Sequence, residues 1–289
     1  MTPRQAEIIE LLHREVKPAL GCTEPIAVAL AAAKATEILG SHCPQCREGM
    51  KVAVEVSGNI LKNGMGVGIP GTGMVGLPIA AALGAVCGDP DAGLEVLHRV
   101  DEESVAAAKK LVADGRVVVS MAEDCPLLYV KATVTLGSDS ASATIADDHD
   151  NIVETCFGGE VLFSSASSSE GACREKSSRE YGLTVREIFD FANPADYEDI
   201  SFILADRDYN WRLSQEGLEH NYGLRVGKTI RENQNSVFGD DFMSFAMGVT
   251  AAASDARMAG CTLAAMRRSA RPSRTWWATL PAWSATGPR

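Results

Sequence analysis

The feature that most limits how this chain can fold is a run of glycines set between two alanine-rich segments. NGMGVGIPGTGMVG, residues 63–76, holds six glycines. AVALAAAKATEIL (27–39) precedes it and LPIAAALGAV (77–86) follows it. Alanine is the strongest helix former and glycine one of the weakest, so the pattern predicts helix, loop, helix. The small side chains let neighbours pack closely. Thr23 is the expected N-cap of the first helix, Glu24 suits its positive end, and Pro25 is tolerated in its first turn. Gly40 is the expected stop. In the loop, successive glycines let backbone N–H groups face an anion, and the following helix adds its positive end. A substrate carboxylate suits such a nest; close backbone packing under a small-residue helix is the competing reading.

KVAVEVSG (51–58) alternates apolar and polar residues, which predicts a strand. Ile8, Ile9, Leu11 and Leu12 give a helical stripe over 3–14, and a further helix is expected over 101–114. Strands are expected near 116–121, 127–136, 141–146, 151–156 and 160–164. SSASSSEGAC is a connector. After it the pattern is helical, over 184–192, 196–206, 209–217, 222–234 and 241–259. The expected fold class is α+β, a mixed α/β N-terminal and middle region followed by a helical C-terminal region. The expected units are 1–165, a mainly helical 166–266, and a tail at 267–289. From Arg267 onward there are five arginines, no lysine and no acid, and three of the four tryptophans. So abrupt a change reads as a wrong-frame tail or an unrelated basic extension.

The net charge of −11 repels phosphate backbones, which argues against a nucleic-acid partner. No apolar run approaches the roughly 18 residues of a membrane span, and the N-terminus has no signal-like apolar region. A cytoplasmic protein is therefore expected, with a homo-oligomer left open. Eight cysteines spread over 289 residues do not form a disulfide scaffold.

Cys22, in GCTEP, stands just before a helix start. Backbone N–H groups and the helix dipole favour a thiolate there, which would serve as nucleophile or metal ligand. A small buried cysteine is the plainer alternative. Cys43 and Cys46 form CPQC, half a zinc site without a second pair. A surface loop with incidental thiols explains it as well. GTGMVG has GxGxxG spacing but no acid at the distance a dinucleotide site needs. In SGNILKNG, Asn59, Lys62 and Asn63 can orient an amino acid or carry a proton, or simply form a polar turn. Gly71, Thr72 and Gly73 lie in the anion-binding loop. Arg257, in ASDAR, can clamp a carboxylate bidentately or close a salt-bridged helix end. DDHD (147–150) reads as a polar hairpin turn rather than a metal site. The five histidines form no spacing pattern.

Taken together, EVKPALGCTEPIAVALAAAKA, GNILKNGMGVGIPGTGMVGLPIAAALGA, AGLEVL, LSQEGL and AASDARMAG resemble the iron–sulfur L-cysteine desulfidases, relatives of the α chain of iron–sulfur L-serine dehydratases. The resemblance runs from about Glu15 to Met266. It implies a cytosolic lyase that works without pyridoxal phosphate and converts L-cysteine to pyruvate, ammonia and sulfide. It implies a [4Fe–4S] cluster whose open iron is a Lewis acid. By the same resemblance Cys22 is an active-site residue, as ligand or base. SGNILKNG, with Lys62, and the glycine loop would line the amino-acid pocket. Family members carry further cluster cysteines beyond the ASDAR block, and those are absent here. Cys261 and CPQC do not match ligand positions. L-serine dehydration and a non-catalytic remnant are the alternatives.

Overall fold

The computed structural model describes residues 2–16, 21–42, 49–165, 182–233 and 242–261. Helices α1 (Pro3–Glu15) and α2 (Thr23–His42) precede strand β1 (Lys51–Val56). Then come α3 (Gly58–Gly64), α4 (Leu77–Cys87), a 3-10 helix (Pro90–Glu95) and α5 (Glu102–Ala113). Five strands follow: β2 (Val117–Met121), β3 (Tyr129–Leu136), β4 (Asp139–Ala146), β5 (Ile152–Phe157) and β6 (Glu160–Ser164). The remaining helices are α6 (Val185–Ala192), α7 (Tyr197–Ile200), α8 (Ile203–Glu219), α9 (Val226–Glu232) and α10 (Phe242–Met258). The class is α+β, as the sequence pattern predicts.

The strands form one mixed sheet in the order β2-β1-β3-β4-β5-β6. β1 and β2 run parallel, and a parallel pair needs a long crossover, which α3, α4 and α5 supply. All other pairs are antiparallel. Over β1, β3 and β4 one face of the sheet is apolar: Val52, Val54 and Val56 from β1, Val130, Ala132 and Val134 from β3, Ala141, Ala143 and Ile145 from β4. α2 covers that face, and α4 packs on α2. Twelve residues of α2 are buried, on all sides of the helix, which is the mark of a helix inside a core rather than on its surface. Its alanines let α4 come close. A methyl added at Gly84 would press into the Ala29 carbonyl, 2.7 Å from its carbon.

The C-terminal helices repeat this device. α8 and α9 both pack against α10 around Ala252. A methyl at Gly217 would stand 2.6 Å from the Ala252 carbonyl carbon, and one at Gly227 would stand 2.5 Å from the Ala252 side chain. Leu213, Ala253 and Ala256 form a small second core there.

The structure departs from the sequence reading in four places. Gly40 does not end α2, which runs on to His42, whose ring stacks on Phe157. Thr23 is the first helical residue, so Cys22 holds the cap position. SGNILKNG is not a turn: Gly58–Gly64 is a helix capped by Ser57. The break expected between 206 and 209 lies instead at 201–202, and α8 is one helix. The tail at 267–289, the connector after Ser165, and Cys43 and Cys46 lie outside the described residues.

Candidate functional site

One end of the sheet gathers the chemistry. β1 ends at Val56, opposite Val130 at the start of β3. Ser57 then starts α3: its Oγ accepts from the Ile60 N–H and donates to the Leu127 carbonyl at 2.8 Å. The next turn along the sheet, between β4 and β5, is tied to the same place, because the Asp147 N–H donates to the Leu128 carbonyl. α3 in turn holds the start of α2: Asn63 Nδ2 donates to Glu24 Oε1 at 3.0 Å.

Cys22 sits at that start, half-buried, its carbonyl accepting the Ile26 N–H. Its Sγ lies 3.7 Å from Met258 Sδ, at the end of α10. The expected thiolate is not favoured. Burial pushes the Cys22 thiol above its ordinary range and Glu24 adds to this, with Arg257 opposing both. Desolvation of a half-buried thiol and a neighbouring carboxylate outweigh the helix start.

The glycine segment is a tight hairpin. Gly68 bridges Val75, Ile69 N–H donates to the Met74 carbonyl, and Gly76 N–H to that of Val67. Thr72 is buried within it. Its hydroxyl donates to the Ile69 carbonyl at 2.7 Å and accepts from Met74 N–H at 2.9 Å. Thr72 therefore braces the loop with its hydroxyl. Only the tip, Gly71 and Gly73 with φ of 71° and 64°, keeps an exposed, glycine-requiring backbone. The loop rests on α10: Gly68 N–H donates to the Met258 carbonyl at 2.7 Å. A methyl at Gly68 would meet Ala259 at 2.5 Å. Between the loop and Cys22 remains a cavity of about 10 Å³, lined by Pro25, Ile26, Val67 and Leu97 among others, room for one water.

The ASDAR residues divide. Asp255 Oδ2 accepts the Gly227 N–H at 2.9 Å and so caps α9. Arg257 Nη2 donates to Asn210 Oδ1 at 2.9 Å, and its charge reaches Cys22. Cys22, Asn63 and Arg257 are thus brought to one region. Asn59 and Lys62 lie on the exposed side of α3.

Three groups escaped the sequence reading. Met258 belongs to the ASDAR block and Asn210 to the helix expected over 209–217, but their contacts run between distant elements. His149, in the β4–β5 turn, is half-buried within electrostatic reach of Glu24. Glu216 of LSQEGL accepts from Tyr222 Oη at 2.6 Å and lies 3.1 Å from His220 Nδ1; burial, then Cys261 and Glu216, push the Tyr222 phenol above its ordinary range. An open cleft of about 490 Å³ lies where β1 and β2 end and β3 begins, lined by Glu55, Glu123, Asp124, Cys125 and Tyr129; its acids make it a poor seat for a carboxylate.

Among the described residues no three His, Cys, Asp or Glu side chains are grouped to hold a metal ion, and no helix is long and apolar enough to cross a membrane.

The chain is 46% identical over 284 residues to the UPF0597 protein of Oleidesulfovibrio alaskensis, a match covering 97% of this chain and 64% of that protein. It is 41% identical over 282 residues to the UPF0597 protein of Vibrio parahaemolyticus, covering 97% and 65%. To the UPF0597 protein of Dichelobacter nodosus it is 44% identical over 280 residues, covering 96% and 63%. It spans just under two thirds of the length of these relatives, whose shared name states no reaction. No family model matches the chain. No solved structure matches it either.

Proposed function

We propose that the chain serves a cytoplasmic lyase that removes the β-substituent of a small L-α-amino acid, L-cysteine in the first place. The products are pyruvate, ammonia and hydrogen sulfide. L-serine, losing hydroxide by the same chemistry, is the alternative substrate. One observation carries the reading. The separate blocks that resemble iron–sulfur L-cysteine desulfidases meet around the start of α2: Cys22 against Met258, Glu24 against Asn63, and Gly68 against the Met258 carbonyl.

The resemblance brings with it a [4Fe–4S] cluster, which needs several thiolate ligands. The described residues bring Cys22 to this place and no ligand set around it, so they do not fit the cluster. The proposed roles are those of the chain's own side chains. Arg257, half-buried and already bonded to an amide oxygen, is the group suited to the substrate carboxylate. The exposed Gly71–Gly73 backbone and Asn63 are suited to the amino-acid end, with Asn59 and Lys62 at the rim. Cys22, held as a neutral thiol, changes charge only when a partner lowers the cost.

The cavity beside Cys22, about 10 Å³, has room for one water and none for an amino acid, which favours a second reading, a non-catalytic remnant. Anaerobic reconstitution of the full chain with iron and sulfide, followed by assay on L-cysteine and L-serine, decides between them. The lyase reading expects pyruvate and sulfide in equal amounts from L-cysteine, loss of at least about 10²-fold in C22S, and a raised KM in R257Q. Neither product from either amino acid refutes it.

A further inference from the structure

The last turn of α10 is one place where the C-terminal helices meet the half of the chain that carries the sheet. On its own side it is held by two bonds. Asp255 accepts the Gly227 N–H of α9, and Arg257 donates to Asn210 of α8. On the other side Met258 gives its carbonyl to the Gly68 N–H at 2.7 Å and sets its sulfur 3.7 Å from Cys22 Sγ. The helix then stops at once. Gly260, with φ of 82°, sends its N–H to the Arg257 carbonyl, and the Cys261 N–H reaches back to the Ala256 carbonyl at 3.1 Å. These two bonds close a Schellman motif around a left-handed glycine. Gly260 also lies backbone to backbone on the glycine hairpin: a methyl there would stand 3.0 Å from the Gly68 carbonyl carbon and 3.1 Å from that of Ile69. Where α10 ends therefore decides how the hairpin, Cys22 and Arg257 face one another.

The residue after the glycine seats the motif. Cys261 packs against the cluster of Leu213, Ala253 and Ala256, the apolar contact that accompanies such helix endings. Tyr222, from the connection between α8 and α9, packs against the same cluster. Its ring is tethered: Oη donates to Glu216 Oε1 at 2.6 Å, and Glu216 stands in the last turn of α8. A hydrogen bond to a carboxylate is among the stronger ones. α8 is itself pressed on α10 at Gly217, where an added methyl would meet the Ala252 carbonyl carbon at 2.6 Å, so the tether is anchored on a fixed element. Resting on the lyase reading above for its use in catalysis, we propose that Tyr222, held by Glu216, is a positioning residue that sets the end of α10. It acts through that helix, not on substrate. It keeps Arg257 where a substrate carboxylate would meet it, the Met258 carbonyl under the hairpin, and the Met258 sulfur against Cys22. Phenylalanine at 222 fills the same space without the tether. Glutamine at 216 keeps an acceptor oxygen for the phenol, and alanine does not.

The test uses the full chain, wild type, Y222F, E216A and E216Q, and reads amide hydrogen exchange by NMR. Gly68 N–H, bonded to Met258, reports on the end of α10; Gly76 N–H, bonded to Val67 inside the hairpin, is the reference. Positioning expects Gly68 to exchange about fivefold faster or more in Y222F and E216A, the worth of one hydrogen bond, with Gly76 unchanged. It expects E216Q to exchange as the wild type does. On L-cysteine it expects Y222F to raise KM and leave kcat unchanged, as for a displaced carboxylate clamp. Unchanged Gly68 exchange in Y222F overturns the proposal. So does an equal rise at Gly76, which would be general loosening, or an E216Q as fast as E216A, which would mean that the acceptor oxygen is not what matters. A wild type without activity overturns the lyase reading and the catalytic use of Tyr222, while the exchange pattern still decides whether Tyr222 sets the end of α10.

Discussion

Gly84→Ala tests the close contact between α2 and α4. Gly84 is an interior residue of α4, where alanine in isolation would be favoured by about 1 kcal/mol. The added methyl, however, meets the Ala29 carbonyl and Cα, the latter at 2.7 Å, and these are backbone atoms of a fully buried helix. Nothing there can swing aside. α2 and α4 must separate by about an ångström to reach normal contact, and the close packing around Ala29 is lost along with it. Overpacking of this kind costs about 1–3 kcal/mol, and backbone neighbours put it at the upper end. The net loss is then about 2 kcal/mol after the propensity gain. For a chain of this size that is roughly a 4–8 °C fall in Tm, read by thermal or urea unfolding. Gly40→Ala is the control. Gly40 also sits in a helix, but a methyl there meets nothing within 4 Å, so it should be neutral or gain up to about 1 kcal/mol. If G84A is as stable as G40A, close α2–α4 packing is not what requires glycine, and the reasoning fails.

Thr72→Val should cost about 1–2 kcal/mol in denaturant unfolding, because Met74 N–H loses its acceptor inside the glycine hairpin. A cost near zero would mean that the hydroxyl does not brace the loop. Alkylation of Cys22 by iodoacetamide should have its midpoint above the ordinary thiol value of about 8.5, lower in E24Q and higher in R257Q. Since the folded thiol holds its proton more tightly than the unfolded one, Cys22 favours folding below that ordinary value. Its contribution then fades as pH rises through the folded midpoint.

Local patterns carried most of the fold. The alanine runs, the alternation of KVAVEV and the spaced strands after residue 116 are periodicities within ten or so residues, and the structure follows them. α3 was hidden because glycines stand at both its ends and its cap, Ser57, is also tied to Leu127, seventy residues away. The break before α8 was misplaced because Asp206, Arg207 and Asp208 look like a loop, whereas they are an exposed face of the helix. In the site, Cys22 was legible because GCTEP is a compact signature. Its partners were not: Met258 is 236 residues away, and His149 comes within electrostatic reach of Glu24 from a turn on the sheet rim where β1 ends and β3 begins. The direction of the thiol's shift was missed for the same reason, since burial is set by elements that GCTEP does not contain.

The contact between Cys22 and Met258 also has a consequence in time. The ribosome makes the thiol early and its cover 236 residues later. At about 5–20 residues per second, roughly 10–50 s separate the two. Through that interval the start of α2 can already lie on its sheet, while the end of α10, which carries the Gly68 bond and the sulfur beside Cys22, does not yet exist. This corner of the protein is therefore closed only once α10 has been made, and oxidants or stray metal ions meet the thiol most freely on the nascent chain.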